Sequence, residues 1–423
     1  MKLKLIAIAV TVCVAVALSA FTRRTGNLRP YPKGCVFRTV MGEESSENMA
    51  IYNTPEFVTT SLDRGLTWIT KAQNNDGGWG AGTHSRQDIR DPHVSSDPAT
   101  TSMVAMALLR TGVKSNDPQL TRAIEYLLTS VEKSSPQALN ITDQTGTQIQ
   151  IKLGQNIDVI LASQFFSNLL DQIGESPLKE RIKRANTVCV NKIQKAQSSD
   201  GSMSGSGWAG VLQSSFAANA LESAEKQKID VDDKVLAQAK AFQKNNYNAG
   251  TGDVKTDMGA GVVLYSVSGS SRSSAKEARR VREEMENARK DGRLPTNAPA
   301  SAENLEKIGF KPSESREYAT AYEVYESAKV QAQRDEVMDG FGSNGGEEFL
   351  SYLQTGEGMV IGKDTQWTKW YDNISGRLVK IQNNDGSWNG HHCITSPVFC
   401  TATCLLILSV NNDVDRLVKL GAN

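Results

Sequence analysis

Net charge is what this 423-residue chain most plainly lacks: 47 lysines and arginines are balanced by 47 aspartates and glutamates. No bulk field then draws it to nucleic acid or to an acidic membrane surface. Histidine is scarce, at four residues, and cysteine nearly so, at six. That is too sparse for a small disulfide scaffold, so the fold must rest on a buried core. Aromatic residues make up only 6% of the chain, and the period-two alternation of half-buried strands is nearly absent. A single apolar run, Leu5 to Phe21, approaches the length needed to cross a bilayer.

That run follows the basic Met1-Lys2-Leu3-Lys4 and ends among the small residues Ala17, Ser19 and Ala20, the pattern of an export signal. Residues 1–21 are therefore set apart as a signal peptide or, uncleaved, an N-terminal anchor, and 22–58 as an N-terminal extension. The expected location is outside the cytoplasm: periplasmic, extracellular or membrane-anchored, touching the membrane only through this segment. Beyond the signal five cysteines remain, Cys35, Cys189, Cys393, Cys400 and Cys404. In an oxidising compartment Cys393 and Cys400 are near enough in sequence to bridge.

What the chain does have is a repeated phrase. "KAQNNDGGWG" begins at Lys71 and "KIQNNDGSWNG" at Lys380, with weaker copies "KAQSSDGSMSGSGW" at Lys195 and "KAFQKNNYNAGTGD" at Lys240. The aligned glutamines Gln73, Gln197, Gln243 and Gln382 are spaced by multiples of roughly 41 to 46 residues, a period of stacked helical pairs or propeller blades. The flanks choose helices. Before each phrase runs a helical apolar pattern, and after it come a Gly-rich loop and a small-residue apolar helix such as "DPATTSMVAMALLRTG". There Asp97 and Pro98 are a start signal and Gly112 a stop. Asn-Asn-Asp-Gly is turn chemistry. The glutamine is suited to tying down backbone groups at the next helix end, and the tryptophan to packing between repeats. Gln73, Asp76, Gly77 and Trp79; Gln197, Asp200, Gly201 and Trp208; and Gln382, Asp385, Gly386 and Trp388 thus read as three structural staples.

"QNNDGGWG" and "QNNDGSWNG" resemble the Gln-Trp repeats of squalene–hopene and oxidosqualene cyclases and of protein prenyltransferase β subunits. The resemblance covers about residues 60–270 and 340–412. It implies an all-α fold, an α/α toroid of about five to seven helical hairpins around a central cavity. On this plan residues 59–270 form its first part and 341–423 its closing part. Between them, 271–340 is a charged helical insertion or an elaborated repeat.

The family's chemistry carries over only in part. Cyclases that protonate their substrate use Asp-x-Asp-Asp-Thr at the start of an inner helix. The comparable positions here, "SSDPATTS" and "VKTDMGAG", hold Asp97 and Asp257 singly, without the second carboxylate that would raise a pKa. Prenyltransferase β subunits hold zinc through Asp-x-Cys and a histidine on the last helix. Asp-x-Cys is missing, and "VFCTATC" puts Cys400 near the place of that histidine. His391, His392, Cys393 and Cys400 offer suitable zinc donors in a spacing that matches no established pattern, so zinc is possible and no cofactor is favoured. Bland readings compete: a Cys393–Cys400 disulfide, or small buried thiols.

His84 and His93 lie on the long loop after the first staple, where such toroids place binding residues. "GFGSNGGEEFLSY" contains Gly-x-Gly-x-x-Gly but follows a helix rather than the strand a dinucleotide site needs. Glu347 and Glu348 then read as first-turn helix residues, with a lesser reading that places one of them at the cavity. The expectation is an exported terpenoid cyclase/prenyltransferase-like toroid. It would bind an isoprenoid, lipid or peptide in its central cavity, with a hydrophobic small molecule or an envelope protein as partner and without nucleic acid. A non-catalytic envelope scaffold and an enzyme with a nonstandard His/Cys site are the alternatives.

Overall fold

The computed structural model describes residues 54–422 except Ile89. The signal segment, Cys35 and most of the N-terminal extension lie outside the described residues. Sixteen α-helices and no strand are present among those residues: α1 Glu56–Lys71, α2 Pro98–Arg110, α3 Pro118–Lys133, α4 Gln148–Lys152, α5 Ile157–Leu170, α6 Pro177–Ala196, α7 Gly210–Lys226, α8 Asp233–Lys244, α9 Val263–Lys290, α10 Ala302–Lys307, α11 Pro312–Gln331, α12 Asp335–Met338, α13 Gly346–Ile361, α14 Trp367–Lys380, α15 Pro397–Leu408 and α16 Val414–Leu420.

Six of them close an inner ring, each packed on the next: α2 on α5, then α7, α9, α13, α15 and back to α2. Outside it, α3, α6, α8, α11, α14 and α1 pack on α2, α5, α7, α9, α13 and α15 in turn. The fold is an α/α toroid of six hairpins. Composition sorts the helices. The outer ones are amphipathic, as in α3, where Leu120, Ala123, Ile124, Leu127, Leu128 and Val131 face inward at helical spacing. Among the inner ones, each residue of α2 and of α15 is buried.

The staples show why the phrase is doubled. Gln73 donates from Nε2 to the Gly77 carbonyl at 2.8 Å and to that of Gln119 at 2.9 Å, in the first turn of the next outer helix. Gln382 repeats this with Gly386 at 2.8 Å and Ser61 at 2.9 Å, so the last staple grips the first outer helix and closes the ring. The indoles are buried and donate backward, Trp79 Nε1 to Ile69 at 2.9 Å and Trp388 Nε1 to Leu378 at 2.8 Å. Gly77 and Gly386 take positive φ angles of 88° and 97° with a neighbouring helix carbonyl 2.7 Å from where a Cβ would stand.

Two details of the expected register change. Trp208 is not a staple residue: it is 63% exposed. Its structural place is taken by buried Met203, whose N–H meets Ser214 Oγ at 2.9 Å as the N–H groups of Trp79 and Trp388 meet Thr101 and Thr401. The insert "SGSG" carries the tryptophan past the position. In the fourth copy Tyr247, not Gln243, occupies the glutamine site, since Asn248 closes the turn as Asn74, Ser198 and Asn383 do.

The charged stretch from Ser273 belongs to α9, which runs 28 residues. Its last turns pack with α10 and α11 around Val281, Met285, Ala288, Leu305 and Ala319, a satellite core. Residues 271–340 are therefore largely the fourth hairpin, elongated. Among the described residues no single helix is long and apolar enough to cross a membrane.

Candidate functional site

Two inner helices touch across the ring. α7 and α13 are not ring neighbours, yet Ser215 Oγ donates to Gln354 Oε1 between them. The inner helices carry many buried small polar residues, among them Ser163 and Ser167, which face outward to Asn186 of α6. Small side chains let helices approach closely.

Open space lies at one rim, where the inner helices have their N-termini and the long loops gather. Four segments converge there. Gln148 of α4 accepts from the N–H groups of Thr395 and Ser396 at 2.9 and 3.2 Å. Gln87 donates to the Cys393 carbonyl at 2.5 Å and meets His84 Nδ1 at 2.9 Å. The His391 N–H reaches the Asn344 carbonyl at 2.9 Å. The loops bearing His84 and His391–Cys393 are thus joined by one glutamine. His93 stays on the same first loop and lines an adjoining cavity of about 350 Å³ with Arg86, Asp91 and Ser396.

Glu347 and Glu348 are buried under this junction. Glu348 accepts from Gly345 N–H at 2.8 Å, capping its own helix, and from the Tyr265 hydroxyl at 2.6 Å. Glu347 accepts from Ile394 N–H at 3.1 Å. Burial, then the neighbouring Glu348 charge, push the Glu347 carboxyl up to about 8, so it carries a proton at neutral pH.

Above the pair sit the reachable groups. His391 is exposed, and His392 and Cys393 are half-buried. His392 Nε2 lies 2.5 Å from the Ser343 carbonyl and 3.9 Å from Glu348, with Nδ1 unpartnered and its ring edge-on to Phe341 at 5.4 Å. Burial pushes the Cys393 thiol up to about 11, Glu347 adding to the rise, against a hydrogen bond from Lys152. The Lys152 ammonium stands 4.4 Å over the Trp208 ring and helps to hold His84, already desolvated, below its usual value. Trp208 is set there by backbone bonds from residues 207–209 to the carbonyls of 151–153. At neutral pH Glu347 keeps its proton and Cys393 is a thiol rather than a thiolate.

The other candidates lie elsewhere. Asp97 caps α2, accepting from Thr100 N–H at 2.7 Å and Ala81 N–H at 3.0 Å; burial raises its pKa and these bonds oppose the rise. Asp257 is exposed on a short 3-10 turn. Cys393 and Cys400 are not bridged: both are free thiols, and Cys400 Sγ turns to the Ile394 carbonyl at 3.5 Å. The helix start at Ser396 fixes Cys400 inside the ring while the positive φ of Cys393 (57°) turns its chain outward. Among the described residues no three His, Cys, Asp or Glu side chains are placed to hold one metal ion.

The sequence profile of the squalene-hopene cyclase C-terminal domain matches residues 47–147. Over that stretch the chain is similar to that domain. Two solved structures are similar to it, both variants of the type II terpene cyclase MstE from Scytonema in complex with geranylgeranyl dihydroxybenzoate. Each is 11% identical and aligned over 85% of this chain and 98% of its own, with TM-scores of 0.37 and 0.32. No curated protein matches. The matched profile covers α1, the first staple, α2 and α3, and the first-loop rim residues His84, Arg86, Gln87, Asp91 and His93, so it speaks to the repeat and its first loop rather than to Cys393 and its neighbours.

Proposed function

We propose that this chain is an exported, terpenoid cyclase-like toroid that binds an isoprenoid or similar amphipathic lipid at its rim. The observation that carries the reading is the pairing of two exposed aromatics, Trp208 at 63% and Phe341 at 51%, with the convergent polar groups between them. Large exposed rings around a few polar side chains are how proteins hold an apolar ligand with a polar end. The chain of the ligand lies against Trp208 and Phe341, and its head meets His391, His392 and Cys393. Export rests on the N-terminal sequence pattern.

An enzymatic reading stands second, on Glu347, whose raised pKa suits a general acid. Its burial means that a reacting group would reach it only after the Cys393 turn moves.

The test is a titration of the purified full chain with farnesol, followed by tryptophan fluorescence and by mass spectrometry of co-purifying lipid. Binding that disappears in Trp208→Ala, with an unchanged melting curve, is expected. A chain that carries no lipid and gives no signal would leave the envelope-scaffold reading in its place.

A further inference from the structure

Among the described residues the Lys152 ammonium is in no ion pair. The residue ends α4 and is only 5% exposed, with its Nζ still in reach of solvent. Nζ stands 4.4 Å over the Trp208 ring, and the backbone bonds from residues 207–209 to the carbonyls of 151–153 fix the two together. An ammonium so nearly buried calls for a compensating charge or for strong acceptors. Its neighbours are a thiol, that of Cys393, and an aromatic face. Neither carries a charge.

No carboxylate close by answers it. Glu347 keeps its proton at neutral pH. Glu348 is engaged with the Gly345 N–H, the Tyr265 hydroxyl and, at 3.9 Å, His392. The neighbouring bases add little positive charge of their own. Arg86 is paired with Asp88 at 3.2 Å, and burial and then Lys152 hold His84 toward its neutral form. One positive charge is left open, beside an indole that is 63% exposed.

We infer that the ligand of this rim is a long-chain carboxylic acid, its carboxylate accepting from Lys152 Nζ and the first carbons of its tail lying on Trp208. The inference rests on the lipid reading above and assigns the head group of that lipid. A carboxylate brings one negative charge and matches the one that is open. A phosphate monoester brings about two, and the second would meet no partner here and face Glu348. An alcohol would leave the ammonium uncompensated.

The test is calorimetry on the full chain near neutral pH, where a carboxyl is ionised, with farnesoic acid, farnesol, dodecanoic acid and farnesyl phosphate. Farnesoic acid binds about tenfold tighter than farnesol, the gain of a charge-assisted hydrogen bond over a neutral one. The phosphate binds no tighter than the acid. Added salt weakens the acid and spares the alcohol, a readout that needs no variant should a change at Lys152 disturb folding. In Lys152→Met, an apolar side chain of similar length, the preference for acid over alcohol disappears. Dodecanoic acid binding as well as farnesoic acid identifies straight-chain acids as a source. Weaker binding identifies an isoprenoid acid, and the carboxylate head stands in both cases. The inference is overturned if farnesol binds as tightly as the acid, if the phosphate binds far tighter than either, or if Lys152→Met keeps the preference. In each of those outcomes the lipid reading survives. If none of the four binds, the lipid reading falls and this inference falls with it.

Discussion

Gly386 and Gly112 share one backbone conformation, φ of 97° and 98°, in different surroundings. A Cβ at Gly112 meets nothing within 4 Å, whereas one at Gly386 stands 2.7 Å from the Arg64 carbonyl oxygen and 2.9 Å from its carbon. Alanine at either site incurs the left-handed penalty, about 1–2 kcal/mol. At Gly386 the steric term is added. The Arg64 carbonyl is part of α1 and is fixed by the helix, and the Arg64 guanidinium clamps the same turn through the Asn383 and Asn384 carbonyls at 2.8 and 3.0 Å. Neither partner has room to retreat, and overpacking of that kind costs about 1–3 kcal/mol. Urea unfolding followed by fluorescence should therefore place Gly386→Ala below Gly112→Ala by that second amount, at equal m-values. Equal midpoints for the two would refute the claim that the last staple is a close backbone-to-backbone joint.

Trp388→Ala removes a fully buried indole and its bond to Leu378, and should destabilise by about 3–5 kcal/mol, whereas Trp208→Ala should leave the melt almost unmoved; calorimetry separates them. Glu347 binds a proton in the folded state up to about pH 8, against an ordinary value of 4.5. The folded chain thus holds the extra proton between those values, and stability falls as pH rises through that window, by at most about 1.4 kcal/mol per pH unit from this group. Glu347→Gln should flatten that slope; buried Asp158, pushed up to about 7, keeps its own share. Native alkylation with iodoacetamide at alkaline pH, where some Cys393 ionises, should label Cys393 and spare Cys189, Cys400 and Cys404, which are buried, and a tryptic Cys393–Cys400 bridged peptide would contradict the free thiols.

The toroid was legible because its joints are written in residues with one physical use each. A positive-φ glycine, an Asx turn and an indole at fixed spacing leave few alternatives. Where the spacing changed, the reading slipped. "SGSG" moved Trp208 off its site and left Met203, a side chain without a signature, to fill it, and an added residue in the fourth turn hid Tyr247. The contact of Ser215 with Gln354 across the ring was illegible because serines and threonines on an apolar helix look alike whether they line a cavity or pack against a neighbour. The site was half legible. His84, His391, His392 and Cys393 stood out as rare residues on loops, but Lys152 and Trp208 come from distant segments and announce nothing by spacing. Glu347 read as a helix start because the sequence holds no trace of the loop 47 residues on that buries it.

Because α15 packs on α2 and Gln382 grips Ser61, the array of hairpins has no first or last member. An open stack of repeats can lengthen by duplication at its ends; a closed one cannot admit a seventh hairpin without changing the angle between all the others. Such a chain can grow only by stretching a hairpin in place. The 28-residue α9 and its partner α11, with a small core of their own, are what that kind of growth leaves behind.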